Sequence, residues 1–398
     1  MQQFVRGVAA SSGALVLSAA LSACSGAGDA SSMSGFAPPR TDGNRIASQP
    51  AASGSSRFAY SANFGSNNIT AYAIASTGAL KQISGSPFAA GAGPTQVVIS
   101  PAGNFAYVPN FNAATVSAYT VDGKTGSLTA VSGSPFAAGN KPYFGAIDPK
   151  GKFFYVADNG DNNVAAYSIN AKTGALTAVK GSPFAAGSFP DGVAMDPSGK
   201  YLFVCEAGGN DVRAYAVNAT TGALKAVKGS PFAAGSSPYY VEISPSGKSL
   251  FVANNGDATV SAFAVETTGA LKPVTGSPFA AGTRPYALAI TPDGKSLYVP
   301  NAGSNNVSAY AVSTVGALSP VKGSPFAGGT NPDGAGIDPL GKFLYVGNYG
   351  SNDVSAFSIT AATGVLKPVK GSPFPAGTNP YIISTCNGGG ATCVPSKL

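Results

Sequence analysis

The side chains best suited to binding or acid–base chemistry fall at one repeated position of the sequence. A proline recurs every 47 or 48 residues, and the residue that follows it is polar or aromatic. These residues are Thr95, Tyr143, Asp191, Tyr239, Tyr286, Asp333 and Tyr381. Tyrosine offers an apolar ring with a polar tip, which suits sugar-like ligands. An aspartate with a raised pKa can orient hydroxyl groups or act as a base.

Charged residues that break the repeat predict where a ligand would bind. Lys141 and Arg284 stand just before two of these prolines, where other copies are neutral. Glu206 and Glu242 replace the asparagine or small residues of other copies. With the tyrosines, Arg284 and the two glutamates predict an off-axis cluster for an anionic or hydroxylated ligand. The alternative is that the tyrosines close a channel, while the polar residues cap turns or are tolerated surface changes.

The composition excludes several other chemistries. The chain has no histidine, which rules out histidine-containing catalytic triads and histidine metal sites. The turns "DNGDNN" and "NNGDAT" leave calcium open, although they lack a spaced loop that ends in glutamate. We therefore expect no metal and no cofactor. The net charge of +7 is spread along the chain, so we expect no nucleic-acid partner.

A motif repeated seven times indicates the elements that position these residues. The letters GSPF begin at Gly85, Gly133, Gly181, Gly229, Gly276, Gly323 and Gly371. Between successive copies lie four short apolar segments joined by turns such as "DPSG" and "TTG", which predict a four-stranded antiparallel meander. Such sheets bury both faces by packing around an axis, so we predict an all-β, seven-bladed β-propeller. The strand at 381–385 should complete the blade begun at residue 58, which closes the ring.

The repeats also resemble a known family. The stretches "FFYVADNGDNNVAAYSI" and "SLYVPNAGSNNVSAYAV" are similar to YVTN-type repeats, and the resemblance to the seven-bladed lactonase family, which includes 6-phosphogluconolactonase-like proteins, covers about residues 57–386. It implies the propeller fold and hydrolysis of a sugar lactone by a histidine with arginine and glutamate. Because the chain has no histidine, we expect a ligand-binding or scaffolding module, with a lactonase-type hydrolase as the alternative.

The N-terminal residues predict export and anchoring. Residues 1–24 have a basic start, a short apolar run and the lipobox-like ending Leu21-Ser22-Ala23-Cys24. This ending resembles that of bacterial lipoproteins and implies lipid on Cys24, with an ordinary secretory signal as the alternative. Residues 25–57 predict a flexible tether, 58–386 the propeller and 387–398 a tail. We expect a place in the bacterial cell envelope, at the outer membrane, with membrane contact only through the Cys24 lipid.

Two cysteines near the C-terminus predict a disulfide bond. Cys386 and Cys393 bracket "NGGGAT", and an oxidising compartment favours a disulfide between them. Cys205 is expected to be a small buried thiol. The expected partner is a small sugar-like or anionic molecule, or another envelope protein, and the chain is expected to be a monomer.

Overall fold

The computed structural model describes residues 57–387, which form strands and turns. The predicted signal peptide with Cys24, the predicted tether up to residue 56, Cys393 and the tail from residue 388 lie outside the described residues. The Cys386–Cys393 disulfide therefore stays a prediction. Within the described range, no helix has the length and apolar character needed to cross a membrane.

Seven antiparallel sheets form the blades of a propeller, which confirms the predicted fold class. Each blade runs from an inner strand through a second and a third strand to an outer strand. Each also has a fifth strand of two residues, which pairs with the third and was not expected from the sequence. We number the blades one to seven in the chain order of their second strands.

The strand bounds repeat closely from blade to blade, except in the inner strands, which have two residues in blades two and six, eight in blade one and six in the others. The inner strands of blades two to seven and then one are Val98–Ile99, Pro142–Ile147, Pro190–Met195, Pro238–Ile243, Ala289–Ile290, Pro332–Ile337 and Pro380–Asn387. The second strands are Arg57–Asn63, Phe105–Asn110, Phe153–Asp158, Tyr201–Glu206, Ser249–Asn254, Ser296–Asn301 and Phe343–Asn348. The third strands are Asn68–Ile74, Thr115–Val121, Asn163–Ile169, Asp211–Val217, Thr259–Val265, Asn306–Val312 and Asp353–Ile359. The outer strands are Leu80–Gln82, Leu128–Ala130, Leu176–Ala178, Leu224–Ala226, Leu271–Pro273, Leu318–Pro320 and Leu366–Pro368. The fifth strands are Phe88–Ala89, Phe136–Ala137, Phe184–Ala185, Phe232–Ala233, Phe279–Ala280, Phe326–Ala327 and Phe374–Pro375.

The ring is closed by the two ends of the described chain, as predicted. The second strand of blade one pairs antiparallel with Pro380–Asn387, with Phe58 opposite Cys386 and Ser61 opposite Ile383. The last strand therefore supplies the inner strand of the first blade, and the sheet edge that it covers is no longer open to pairing.

The core lies between blades. One cluster joins Phe58 and Tyr60 of blade one to Val97 and Val108 of blade two, and all four side chains are buried. Burying a large apolar side chain stabilises the fold by about 1.5–3 kcal/mol. Tyr60 also donates a hydrogen bond across the interface to the Gly126 carbonyl at 2.9 Å. Because both faces of a second strand are covered in this way, the middle of each of these strands is a nearly continuous apolar run rather than an alternating one, and each strand ends in a polar residue.

The GSPF motif carries the chain from the rim of one blade to the axis of the next. In its first copy Gly85 has a φ of +81°, and the Ser86–Pro87 peptide bond is cis. The Ser86 Oγ accepts a hydrogen bond from the Ala71 N–H of the third strand at 2.9 Å. Phe88 pairs with Ile69 and packs, partly buried, against the cluster between blades one and two. The motif thus fixes the blade junction, which explains why it recurs.

Candidate functional site

One end of the propeller gathers the residues that follow the repeated proline. The prolines that begin the inner strands lie opposite the residues that end the second strands, as in the pairs Pro142–Asp158 and Pro238–Asn254. Two rings of polar positions therefore share one face of the disc. We call this the tyrosine face, after Tyr143, Tyr239, Tyr286 and Tyr381.

The residue before each of these prolines adopts a left-handed backbone conformation. Asparagine adopts this conformation readily, as Asn331 and Asn379 do with φ near +50°. In Arg284, at φ +54°, and Lys141, at φ +55°, the same conformation is sterically unfavourable. Residues held in this conformation cluster at binding sites. This conformation sets the position from which the Arg284 side chain reaches the central cavity.

The tyrosine face opens into a cavity of about 240 Å³. Its lining residues are Phe64, Phe111, Tyr143, Arg284, Tyr286, Asn331, Asp333, Tyr349 and Tyr381. Pockets for drug-sized ligands measure about 300–1,000 Å³, so the occupant here must be smaller. The structure thus brings together five of the residues singled out from the sequence.

The floor of this cavity is a network of tyrosine hydroxyl groups centred on Tyr381. The Tyr381 hydroxyl meets those of Tyr143, of Tyr239 at 2.6 Å and of Tyr286 at 3.3 Å. The ring of Tyr239 contacts that of Tyr286 in a tilted arrangement, with 4.1 Å between the ring centres, and Tyr239 does not line the cavity. Burial raises the pKa of Tyr143, Tyr286 and Tyr381, so these hydroxyls stay protonated near neutral pH. With Phe144 and Ile382 they form an aromatic plug across the channel.

Asp333 and Arg284 place opposite charges in the wall of the cavity. The Asp333 carboxyl is buried, and its Oδ1 has no hydrogen-bond partner. Burial raises its pKa to about 7, while the nearby Arg284 guanidinium acts to lower it. The ion pairs among residues 57–387 are Arg57–Asp338, Arg213–Glu206 and Lys295–Asp293, so Arg284 takes part in none of them. Both groups are therefore available to a ligand.

Asp191 lies on the same face but outside the cavity. It is buried, its Oδ1 accepts a hydrogen bond from the Asn159 side chain at 2.7 Å, and burial raises its pKa to about 7. Asp191 is not among the residues that line the cavity.

Glu206 is buried in an ion pair instead of facing a ligand. Arg213 Nε donates to Glu206 Oε1 at 2.7 Å and Arg213 Nη2 donates to Glu206 Oε2 at 3.2 Å, while the Gly187 N–H donates to Oε1 at 2.6 Å. Its carboxylate is occupied by Arg213 and Gly187, and Glu206 does not line the cavity of the tyrosine face. It is therefore separated from the predicted cluster.

Glu242 lies beyond the aromatic plug. It lines a second cavity with Tyr240 and Gln96, toward the opposite end of the channel. Along the closing strand, Tyr381 borders the first cavity and Ser384 and Thr385 border the second. The single cluster of Arg284, Glu206 and Glu242 expected from the sequence is therefore divided among three places.

Three aromatic residues of the cavity were missed from the sequence. Phe64, Phe111 and Tyr349 each follow the last residue of a second strand, where the other four blades have Asn159, Ala207, Asn255 and Ala302. Phe111 also lies under the Lys141 ammonium, 5.8 Å from the ring centre. Aromatic residues occur at this position only in blades one, two and seven. This departure from the repeat is the sequence feature that could have indicated an aromatic wall on one side of the cavity.

The acidic turns considered for calcium serve the backbone. Asp161 of "DNGDNN" accepts the Asn140 N–H at 2.7 Å, and Asp257 of "NNGDAT" accepts the Ser236 N–H. In the part of the chain that the structure describes, no group of three or more acidic or cysteine side chains is arranged to hold a metal ion.

The family comparison extends over most of the chain. The model of the family described as lactonase, 7-bladed beta-propeller, matches residues 30–144, 145–234 and 192–383. No curated protein matches the sequence significantly.

Solved structures share the fold at low sequence identity. A protein of Bacteroides fragilis, provisionally named a 6-phosphogluconolactonase, is 24% identical with a TM-score of 0.74 over 85% of this chain and 100% of its own. A Bacteroides uniformis protein with the same provisional name is 20% identical, with a TM-score of 0.74 over 84% and 100%. The periplasmic gluconolactonase PpgL of Pseudomonas aeruginosa is 21% identical, with a TM-score of 0.73 over 84% and 100%. At these identities the likeness shows the fold alone.

Proposed function

Because this chain belongs to the seven-bladed β-propeller lactonase family, we propose that its tyrosine face binds a small hydroxylated molecule that carries negative charge. A sugar acid, or the lactone of one, has this chemistry. In this proposal the chain works mainly as a binding module.

The unpaired Arg284 and Asp333 carry the proposal. A guanidinium group recognises a carboxylate or phosphate through two parallel hydrogen bonds. A carboxyl group with a pKa of about 7 either donates to or accepts from a sugar hydroxyl near neutral pH. One wall of the cavity thus supplies both anion recognition and hydroxyl recognition.

The aromatic walls complement these two groups. Phe64, Phe111 and Tyr349 offer ring faces on which the apolar side of a sugar can pack, and the tyrosine hydroxyls of the floor add polar contacts. The floor is already ordered by its own hydrogen bonds, so little entropy is lost when a ligand binds.

Hydrolysis of a lactone is the second candidate function, and the pKa of Asp333 favours it. A base works best when its pKa lies near the working pH. The ionised Asp333 would take a proton from a water molecule while the water oxygen attacks the lactone carbonyl carbon. The ring C–O bond then breaks, and the departing oxygen takes up the proton, which leaves the hydroxy acid. Arg284 would stabilise the negative charge that develops on the carbonyl oxygen. The names of the structural neighbours point to the same substrate class.

The location in the envelope remains part of the proposal. The lipobox-like Leu21-Ser22-Ala23-Cys24 supports a lipid anchor, and one structural neighbour is a periplasmic protein. Another envelope protein stays open as a partner.

Calorimetry on the purified chain tests the binding proposal, with gluconate and 6-phosphogluconate as probes. We expect saturable binding of one or both, weakened at least tenfold by Arg284→Ala, since loss of a charge-assisted hydrogen bond costs about 1.5–3 kcal/mol. Lys295→Ala is the control, because Lys295 is an exposed cation that pairs with Asp293 and does not line the cavity. No binding, or equal loss in both variants, contradicts the proposal.

Turnover of δ-gluconolactone by the same protein separates the two candidate functions. Hydrolysis above the spontaneous rate that disappears in Asp333→Asn supports the lactonase. Binding of the acid without turnover supports the binding module.

A further inference from the structure

The channel has a second cavity on the far side of the aromatic plug from the tyrosine face. Its volume is about 170 Å³, and Glu242 and Tyr240 of blade five line it together with Gln96 of blade two. Nothing proposed above for Arg284 and Asp333 depends on this cavity, because the plug of Tyr143, Tyr381 and their neighbours lies between the two.

Glu242 is exceptional among the seven inner strands. The residues at the equivalent position of the other blades are Val98, Ala146, Ala194, Ala289, Gly336 and Ser384. The cavity wall includes three of these small residues, Ala289, Gly336 and Ser384. A single long acidic side chain therefore stands in a space that small residues of neighbouring blades leave open.

The Glu242 carboxylate has no internal partner. It takes part in none of the ion pairs found among residues 57–387, and no hydrogen bond from the described residues reaches it. Burial alone raises its pKa, to about 8. An ionised carboxylate in such surroundings is costly unless a cation or several donors compensate it.

The remaining polar groups of the cavity do not supply that cation. Gln96 is oriented by its Oε1, which accepts the Gly145 N–H at 3.2 Å, and Thr385 Oγ1 donates to the Ile337 carbonyl at 2.5 Å. Tyr240 is the other titratable side chain of the lining, and burial raises its pKa, so it stays neutral. The strands that face Glu242 therefore contribute amide, hydroxyl and apolar groups but no positive charge.

We infer that this cavity is a binding site for a primary ammonium group on a short apolar stem. The ammonium group would donate to the Glu242 carboxylate, and the stem would lie against Ile290, Ile337 and Ile383. An ammonium ion is a compact charge with three donors, which suits one carboxylate in a small space. A neutral alcohol would leave the negative charge uncompensated.

Binding should depend on pH in a defined direction. A cation close to a carboxylate favours its ionised form, so occupation of the site releases the Glu242 proton. Affinity should rise with pH toward about 8, where Glu242 ionises. It should fall again above about 10.4, where an alkylammonium group loses its proton.

Calorimetry with propylammonium chloride on the purified full chain tests the inference, with 1-propanol as the uncharged probe of matched size. We expect saturable binding of propylammonium at pH 8.5, at least tenfold weaker at pH 6.5, and weaker by the same order in Glu242→Gln. Glu242 is half-buried in the cavity wall and has no internal partner, so Glu242→Gln should fold like the wild type, and circular dichroism of the variant checks this.

Variants of the other cavity separate this inference from the proposed function. Arg284→Ala should bind propylammonium as the wild type does. Failure to bind propylammonium at any pH, equal binding of 1-propanol, or unchanged binding in Glu242→Gln would each overturn the ammonium site and leave the sugar-acid proposal untouched.

Discussion

Arg213 holds Glu206 with two hydrogen bonds, of 2.7 and 3.2 Å, at a position that most blades build without charges. In five blades an asparagine ends the second strand, and its Nδ2 donates to a serine or threonine of the third strand, as Asn254 does to Ser261 at 2.8 Å. Glu206 and Arg213 occupy these two positions in blade four. An ion pair has thus replaced a neutral pair within one structural repeat.

Removing one member of this ion pair should be costly. Arg213→Ala leaves Glu206, which is 1% exposed, without its cation, and we expect a loss of about 3–5 kcal/mol in the free energy of unfolding. The double variant Glu206→Asn with Arg213→Ser recreates the blade-seven set of Asn348, Asp353 and Ser355, since Asp211 is already present. The free energy of unfolding of this double variant should lie within about 1 kcal/mol of the wild-type value or exceed it. Urea denaturation measures both, and a double variant as unstable as Arg213→Ala would refute the comparison.

Blade three lacks both the neutral pair and the ion pair. Asp158 stands in the asparagine position and Ala165 in the serine position, and neither Asp158 carboxylate oxygen has a hydrogen-bond partner. Burial, with the nearby Asp161, raises the pKa of Asp158 from 3.8 to about 7. The folded state therefore binds the proton more tightly than the unfolded state does. The contribution of Asp158 to the free energy of unfolding therefore falls as the pH rises from about 4 to 7 and is constant above 7. The total change is at most about 4 kcal/mol.

The double variant Asp158→Asn with Ala165→Ser should remove this pH dependence. It copies the arrangement of Asn301, Asn306 and Ser308 in blade six, since Asn163 is already present. Urea unfolding at pH 8 should show the variant more stable than the wild type, with a smaller difference at pH 4.5. The other carboxyl groups are common to both proteins and cancel. Equal stability at pH 8 would contradict the prediction.

The Tyr381 hydroxyl should matter more than other hydroxyls of the cavity. Tyr381→Phe removes the group on which the hydroxyls of Tyr143, Tyr239 and Tyr286 converge. We expect the free energy of unfolding to fall by about 1–3 kcal/mol, because the buried hydroxyl groups around Tyr381 then lack a hydrogen-bond partner. Tyr349→Phe is the matched control, since Tyr349 borders the same cavity as a ring-packing residue. Thermal unfolding should show a clear shift for the first variant and a small one for the second.

Gly334 should not tolerate a side chain. A Cβ at this position would lie 2.1 Å from the Tyr381 carbonyl oxygen of the neighbouring inner strand, whereas a Cβ at Gly328 would meet nothing closer than 3.5 Å. We expect Gly334→Ala to lower the free energy of unfolding by about 1–3 kcal/mol, as overpacking does. Gly328→Ala should change it by no more than about 0.5 kcal/mol. Chemical denaturation of the two variants checks the difference.

The fold was predictable because its causes repeat in the sequence. Seven copies of GSPF and of the apolar strand segments gave the number of blades, and the uneven start and end of the repeats gave the closure near Phe58 and Cys386. The two-residue fifth strands escaped notice because two residues carry no period.

The candidate site was predictable only in part, because it depends on contacts that do not repeat. Tyr143, Arg284, Tyr286, Asp333 and Tyr381, which the sequence singled out, line one cavity. The sequence could not show that Arg213 would neutralise Glu206, nor on which side of the plug Glu242 would lie. Both depend on where side chains point within a strand pair, and a shift of one residue reverses that direction.

The pairing of Arg57–Asn63 with Pro380–Asn387 has a consequence for how the molecule is made. The first blade to be synthesised lacks its inner strand until the last strand is made. Until then the other six blades form an open arc and not a closed ring. A ribosome must release essentially the whole polypeptide before the circle can form. Closure of the ring therefore follows synthesis of the chain and cannot accompany it.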